Sequence, residues 1–136
     1  MSAGSTDSIE LARARTERFW RDLEAEFGLL TAAQAAQALG VADDELAQLR
    51  QSGVLLAVEL LGEVRYPGFQ FTDGRPLPLM TRLSTLRLQH DVSETSALMW
   101  LCLPTTYLRD ERRPVDHLND PDTIAAAADA SWGVVW

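Results

Sequence analysis

TAAQAAQALGVADDELAQLRQSG, residues 31–53, contains two short helical patterns separated by one glycine. Thr31 is a good helix N-cap, because its hydroxyl can accept a bond from a backbone N–H that lacks an intrahelical partner. The alanine-rich run Ala32 to Leu39 follows, and Gly40 stops it, since glycine takes the left-handed conformation that closes helices. Ala42-Asp43-Asp44-Glu45 then opens a second helix, its carboxylates facing the positive end of the helix dipole. That helix runs through Leu46, Leu49 and Arg50 to Ser52, and Gly53 closes it. Two short helices joined by a tight glycine turn, each with an apolar inner face, form the pattern of a helix-turn-helix.

Downstream, Val54 to Leu60 and Glu63 to Phe71 are rich in β-formers and aromatics, with Gly62 placed to turn a hairpin between them. A β-ribbon after a helix-turn-helix corresponds to a wing. Pro67 cannot donate a ladder hydrogen bond, so the second strand is expected to be an edge, or interrupted there, with pairing ending near Tyr66. Upstream, Ile9, Ala12, Phe19, Trp20, Leu23 and Phe27 recur at helical spacing from Thr6 to Phe27. This predicts one amphipathic opening helix whose apolar stripe docks on the rest of the chain or on another subunit.

After the polar turn Thr72-Asp73-Gly74-Arg75-Pro76, helical patterns return. Leu79, Leu83 and Leu86 make one stripe, and Asp91 with Glu94 resembles a capping box for a helix holding Ala97, Leu98, Trp100 and Leu101. Pro104 marks its end, and a charged turn at Arg109 to Arg113 precedes a short segment from Pro114 to Leu118. Asp120-Pro121 starts a last helix over Thr123 to Ala130. The expected fold is mainly α: an N-terminal helix plus helix-turn-helix and short β-hairpin wing over residues 1–72, then a small helical bundle over residues 73–136.

Composition narrows the function. A chain of 136 residues with 46% apolar content can bury a core. Twelve arginines, no lysine and eighteen alanines point to a GC-rich bacterial genome. The formal charge of −8 is the wrong sign for a protein that mainly binds phosphate without sequence preference. The single Cys102 excludes an internal disulfide framework, and no opening segment or apolar run suggests secretion or a bilayer span, so the expected compartment is the cytoplasm.

Little in the chain suggests catalysis. His90 and His117 lack neighbours at metal-ligand spacing, and Cys102 lies in the apolar run Met99 to Leu103, where thiols are usually buried and inert. Asp43-Asp44-Glu45 is better explained by the helix dipole than by paired acid-base chemistry. No phosphate-cradling glycine loop or nucleophile elbow is present. The expectation is a binding protein with no enzyme activity, cofactor or metal. In the second helix of the helix-turn-helix, Asp44, Gln48, Arg50 and Gln51 are the candidate DNA contacts, although residues 29–56 hold three acids and one arginine. Trp132-Gly133-Val134-Val135-Trp136 carries aromatics where tails are usually polar, so it either folds back on the bundle or inserts into a partner.

The elements Arg65-Tyr66-Pro67-Gly68-Phe69-Gln70-Phe71, Leu79 to Leu86, Trp100-Leu101-Cys102-Leu103-Pro104, Leu108, and Pro114 to Leu118 occur in series. In that order they resemble the toxin-binding domain of the Xre/MbcA/ParS-like antitoxins, over about residues 64–130, with Tyr66, Pro67, Phe69, Gln70, Phe71, Trp100, Leu101 and Pro104 as its markers. The turn Arg109 to Arg113 is bulkier and more charged than the glycine-containing turn of that family. The resemblance implies a RES-domain toxin as partner, an NAD-consuming protein with an ADP-ribosyltransferase-like fold. It further implies neutralisation by covering the toxin's active-site cleft, with Asp129, Ala130, Ser131, Trp132, Gly133 and Trp136 nearby. The assembly implied is a hetero-oligomer, with a homodimer and operator DNA as further partners. Residues 93–136 hold seven acids and three arginines, which would suit a basic pyrophosphate pocket. The competing expectation is an autonomous winged helix-turn-helix transcription regulator whose helical bundle dimerises or senses an effector.

Overall fold

In the computed structural model, the structure describes residues 3–134. Helix α1 (Ala3–Phe27) leads through Gly28 into strand β1 (Leu29–Thr31), helix α2 (Ala32–Leu39) and helix α3 (Asp43–Gln51). The caps are those expected of the sequence. Thr31 accepts from the Gln34 N–H at 3.1 Å while Gln34 Oε1 accepts from the Thr31 N–H at 2.9 Å, a reciprocal capping box. Gly40 is left-handed at φ 69°, and its N–H closes the last turn of α2.

Strands β2 (Val58–Leu60) and β3 (Glu63–Pro67) form the hairpin. Its turn, Leu61-Gly62, has positive φ at both residues, 51° and 79°, which suits the right-handed twist of a two-residue hairpin. Of the two expectations for Pro67, the interruption holds, since β3 ends there, and the edge does not. Strand β3 is the middle strand of an antiparallel sheet of order β1-β3-β2, which the sequence does not announce because β1 is three residues long. Pro67 is accommodated as the final residue of β3, paired across from Leu29, whereas the β2 ladder has already ended at Val58 opposite Arg65.

The segment before β2 shows a second departure. The sequence pattern predicts strand over Val54 to Ala57, and the side chains do alternate: Leu55 and Ala57 enter one core, Leu56 and Val58 another. The backbone partner, however, is a side chain. The Leu56 N–H donates to Gln70 Oε1 at 2.9 Å, and Gln70 Nε2 donates to the carbonyls of Leu56 at 2.7 Å and Pro67 at 3.2 Å. Gln70 is fully buried in a 3-10 turn (Gly68–Gln70) that follows β3.

The polar turn at Asp73-Gly74 joins a two-strand ribbon, β4 (Phe71–Thr72) and β5 (Arg75–Pro76). Helices α4 (Pro78–Gln89), α5 (Glu94–Leu101) and α6 (Pro121–Trp132) complete the chain, with a 3-10 turn at Pro114–His117. The capping box expected for α5 is also corrected. Ser93 is its N-cap and accepts from the Ser96 N–H at 3.1 Å, while Asp91 lies outside in a left-handed conformation at φ 59°. Among the described residues no helix is long and apolar enough to cross a membrane.

The larger core gathers Trp20 and Leu23 of α1, Leu56, Val58 and Phe69, and the inner faces of α4, α5 and α6, including Met80, Leu83, Leu98, Leu101 and Ile124. The smaller one lies under the helix-turn-helix and holds Ala35, Ala36, Leu46, Leu55, Ala57 and Tyr66. The N-terminal unit and the helical bundle are thus joined by a shared interior. Two glycines permit close approach: a Cβ at Gly68 would collide with the Phe27 carbonyl, and one at Gly53 would meet Ser84 at 2.8 Å. Ser84 Oγ donates to the Gly53 carbonyl at 2.6 Å, tying the end of α3 to α4.

Replacing Gln70 by leucine keeps the volume but orphans the buried N–H and C=O of Leu56. The expected loss is about 3 kcal/mol, since each unsatisfied buried group costs roughly 1–3 kcal/mol. Urea denaturation should show a lower midpoint at an unchanged m-value.

Candidate functional site

Helix α3 buries Leu46 against Ala35, Ala36 and Leu55, with Leu49 packed beside them. That leaves Asp44, Ala47, Gln48 and Gln51 exposed. These positions are i, i+3, i+4 and i+7, so they form one continuous stripe along the outer face of the helix. The stripe holds three of the expected DNA-contact residues and adds Ala47, too small to stand out in the sequence. The hairpin tip, Leu61, is fully solvent-exposed and shares a groove with Thr16, Glu17 and Arg21 of α1, while Val64 of β3 lies in a cleft with Ala47 and Gln51.

Arg50, the fourth expected contact, does not belong to this stripe and turns toward α5. Its guanidinium makes a two-pronged contact with Glu94 at the start of α5, Nε to Oε2 at 3.2 Å and Nη2 to Oε1 at 3.1 Å. The Ala57 N–H donates to the same carboxylate at 3.1 Å. The hydrogen bond to Glu94 raises the Arg50 pKa further, against a smaller opposing effect of burial. This pair forms part of the wall of a cleft of about 500 Å³ that also includes Asp43, Gln51, Tyr66 and Arg87. Burial, the dominant effect, raises the Tyr66 pKa.

The residues expected at a toxin interface occupy the last turn of α6 and its C-terminal extension. Trp132 folds back, its ring meeting that of Trp100 edge-on at a centroid distance of 5.3 Å. The Trp100 Nε1–H donates to Ser131 Oγ at 3.2 Å, and Asp129 Oδ1 lies 2.8 Å from His90 Nε2. The Gly133 N–H closes the helix on the Asp129 carbonyl at 3.0 Å. Ala130 and Gly133 are exposed, and Trp136 lies outside the described residues. Within the described part of the tail, Trp132 packs back on the bundle whereas Gly133 and Val134 are exposed.

The marker stretch is interior. Tyr66 and Phe71 serve the smaller core and Phe69 the larger one, where its ring meets Phe27 edge-on at 5.5 Å. Pro67 and Leu101 are buried, Trp100 is partly so, and Pro104 is exposed.

Among the described residues, no group of three or more His, Cys, Asp or Glu side chains is arranged to hold a metal ion. His117 Nε2 lies 2.9 Å from Asp110 Oδ2. Burial pushes the Cys102 thiol up to about 12. Arg113 clamps the end of α1 to the 3-10 turn after it, donating to both Glu26 oxygens at 2.8 and 2.7 Å and to both Asp116 oxygens at 3.1 and 2.8 Å. Those bonds hold the Glu26 carboxyl below its ordinary 4.5 and that of Asp116 below its ordinary 3.8.

A helix-turn-helix, an antiparallel sheet with a projecting hairpin, and a supporting helical bundle define a mainly helical protein of winged helix-turn-helix build. The chain is similar to the solved NMR structure of Rv2175c, with a TM-score of 0.69 and 28% sequence identity, over 76% of this chain and 80% of that one. No protein-family model and no curated protein matches the chain.

These geometries set two expected outcomes. Cys102 should resist a thiol-specific disulfide reagent at neutral pH in the folded protein and react fully in denaturant, because only the thiolate attacks. Glu26 and Asp116 have depressed folded-state pKa values, so they contribute stability above their unfolded values and lose it as the pH falls through the folded ones. Lowering the pH from 4.5 to below 3.8 should therefore destabilise the native protein more steeply than Arg113→Gln, as followed by denaturant midpoints across that window.

Proposed function

We propose that this protein is a DNA-binding regulator that reads sequence by placing α3 in the major groove with the β2–β3 hairpin alongside. The observation that carries this reading is the exposed stripe Asp44, Ala47, Gln48 and Gln51 on the second helix of the helix-turn-helix. Its chemistry suits base edges: glutamine pairs with adenine N6 and N7, a carboxylate accepts from cytosine N4, and an alanine methyl contacts the thymine methyl. Helix-turn-helix proteins present the N-terminal residues of this helix to bases, and Asp44 occupies its first turn.

The charge distribution shapes the binding. Asp43, Asp44 and Glu45 crowd the start of α3, and the chain carries −8 overall. Few phosphates are neutralised, so binding without sequence preference is weak and discrimination rests on base contacts. The protein works in the cytoplasm, with no cofactor and no catalytic step. A homodimer on paired half-sites would supply the affinity that a single reading helix lacks.

A second reading is the antitoxin. It is supported by the ordered series from Tyr66 to Leu118 and by the exposed last turn of α6. In that case Asp129, Ala130 and Gly133, together with Trp136, would face a RES-domain toxin, while Ser131 and Trp132 would hold the helix in place. Co-purification with the product of an adjacent gene tests it directly.

Selection from a randomised duplex pool should enrich a sequence motif, with binding then measured by fluorescence anisotropy. Gln48→Ala and Gln51→Ala should each reduce discrimination at one position by about 1–3 kcal/mol while leaving binding to random duplex unchanged. A pool with no enriched sequence would sink the DNA reading.

A further inference from the structure

We propose that the cleft between α3, β3 and the start of α5 is a phosphate site, held in the free protein by the Glu94 carboxylate. A DNA backbone phosphate displaces Glu94 from Arg50 and recruits Arg87. The identity of the ligand rests on the DNA-binding reading; the geometry of the site does not.

Arg50 is the sole cation among residues 29–56, so the helix-turn-helix has no other side chain with which to neutralise a phosphate. Glu94 engages it through Nε and Nη2 at 3.2 and 3.1 Å. That fork geometry is the one guanidinium groups use for phosphate oxygens as well as for carboxylates. The third donor on Glu94, the Ala57 N–H at 3.1 Å, can equally serve a phosphate oxygen. Glu94 thus occupies a set of donors that suits a tetrahedral oxyanion.

The pair is open to exchange. The side chains of Arg50 and Glu94 retain 31% and 22% of their exposure, so an anion in the cleft can reach the pair. The same cleft includes a second cation. Arg87 donates from Nη1 to the Val92 carbonyl at 3.2 Å, while its buried Nε has no hydrogen-bond partner among the described residues. Buried donors are rarely left unused, so a side-chain shift that brings the Arg87 guanidinium toward the cleft would give this donor an acceptor. With Glu94 and Asp43 facing Arg50 and Arg87, the cleft is neutral, and withdrawal of Glu94 leaves it cationic. Gln51 both belongs to the exposed stripe and lines the cleft, so a duplex read by the stripe brings its backbone to this point.

Glu94→Gln tests this, because the amide oxygen still accepts from Ala57 while the charge is gone. It should bind duplex roughly five-fold tighter than the native chain, because the phosphate no longer has to displace a carboxylate from Arg50. Its plot of log affinity against log salt should keep the native slope, because the same phosphate is neutralised in both complexes. Independently, the Nε–H resonances of Arg50 and Arg87 should move when inorganic pyrophosphate is titrated into the full chain, more so in Glu94→Gln. Arg87→Met should weaken the response of Arg50. Duplex affinity no tighter in Glu94→Gln than in the native chain would overturn the proposal, as would arginine resonances unmoved by pyrophosphate in both. Pyrophosphate binding without binding to any duplex keeps the phosphate site and removes DNA as its ligand. Duplex binding with silent arginines removes the phosphate site and leaves the DNA reading standing.

Discussion

The carboxamide of Gln70 does for Leu56 what a neighbouring strand would do. Between α3 and β2 the chain must cross from the small core to the large one, and there its backbone is buried with no ladder to join. A buried N–H and C=O without partners would cost more than the packing around them gains. Gln70 satisfies both and also holds the Pro67 carbonyl, so the end of β3 and the start of the hairpin are fixed to each other. The alternation of Leu55, Leu56, Ala57 and Val58 between two interiors depends on that junction.

The helix-turn-helix is consequently no detachable module. Its second helix is tied to α4 through Ser84 and the Gly53 carbonyl and to α5 through Arg50 and Glu94. The helical bundle therefore sets the orientation of α3.

Local chemistry is legible in the sequence and long-range pairing is not. Thr31, Gly40 and Gly53 mark the bounds of α2 and α3 because caps depend on neighbouring residues alone. Gly62 likewise locates the hairpin. Strand β1 escapes a reading of the sequence because Leu29-Leu30-Thr31 is too short to show a period, and without it β3 passes for an edge. Asp91 and Ser93 both suit a helix start, and only the backbone conformation distinguishes them. At the candidate site, the helical period alone places Asp44, Gln48 and Gln51. It cannot place Arg50, whose partner stands 44 positions along the chain, and for the same reason nothing in the sequence marks Glu94 and Arg87 as members of a common cleft.

Helix α1 has two halves with different support. Phe19, Trp20, Leu23 and Phe27 pack on the larger core, but from Asp7 to Arg18 every residue is exposed. The outer half is held by its own hydrogen bonds and by the alternation of arginines with acids, and isolated helices of such length are marginal in water. Its amides should therefore exchange with deuterium by local fraying, while those beyond Phe19 exchange only when the core opens. The boundary between the two regimes, within one unbroken helix, marks where tertiary packing takes over from the intrinsic stability of the coil-to-helix transition.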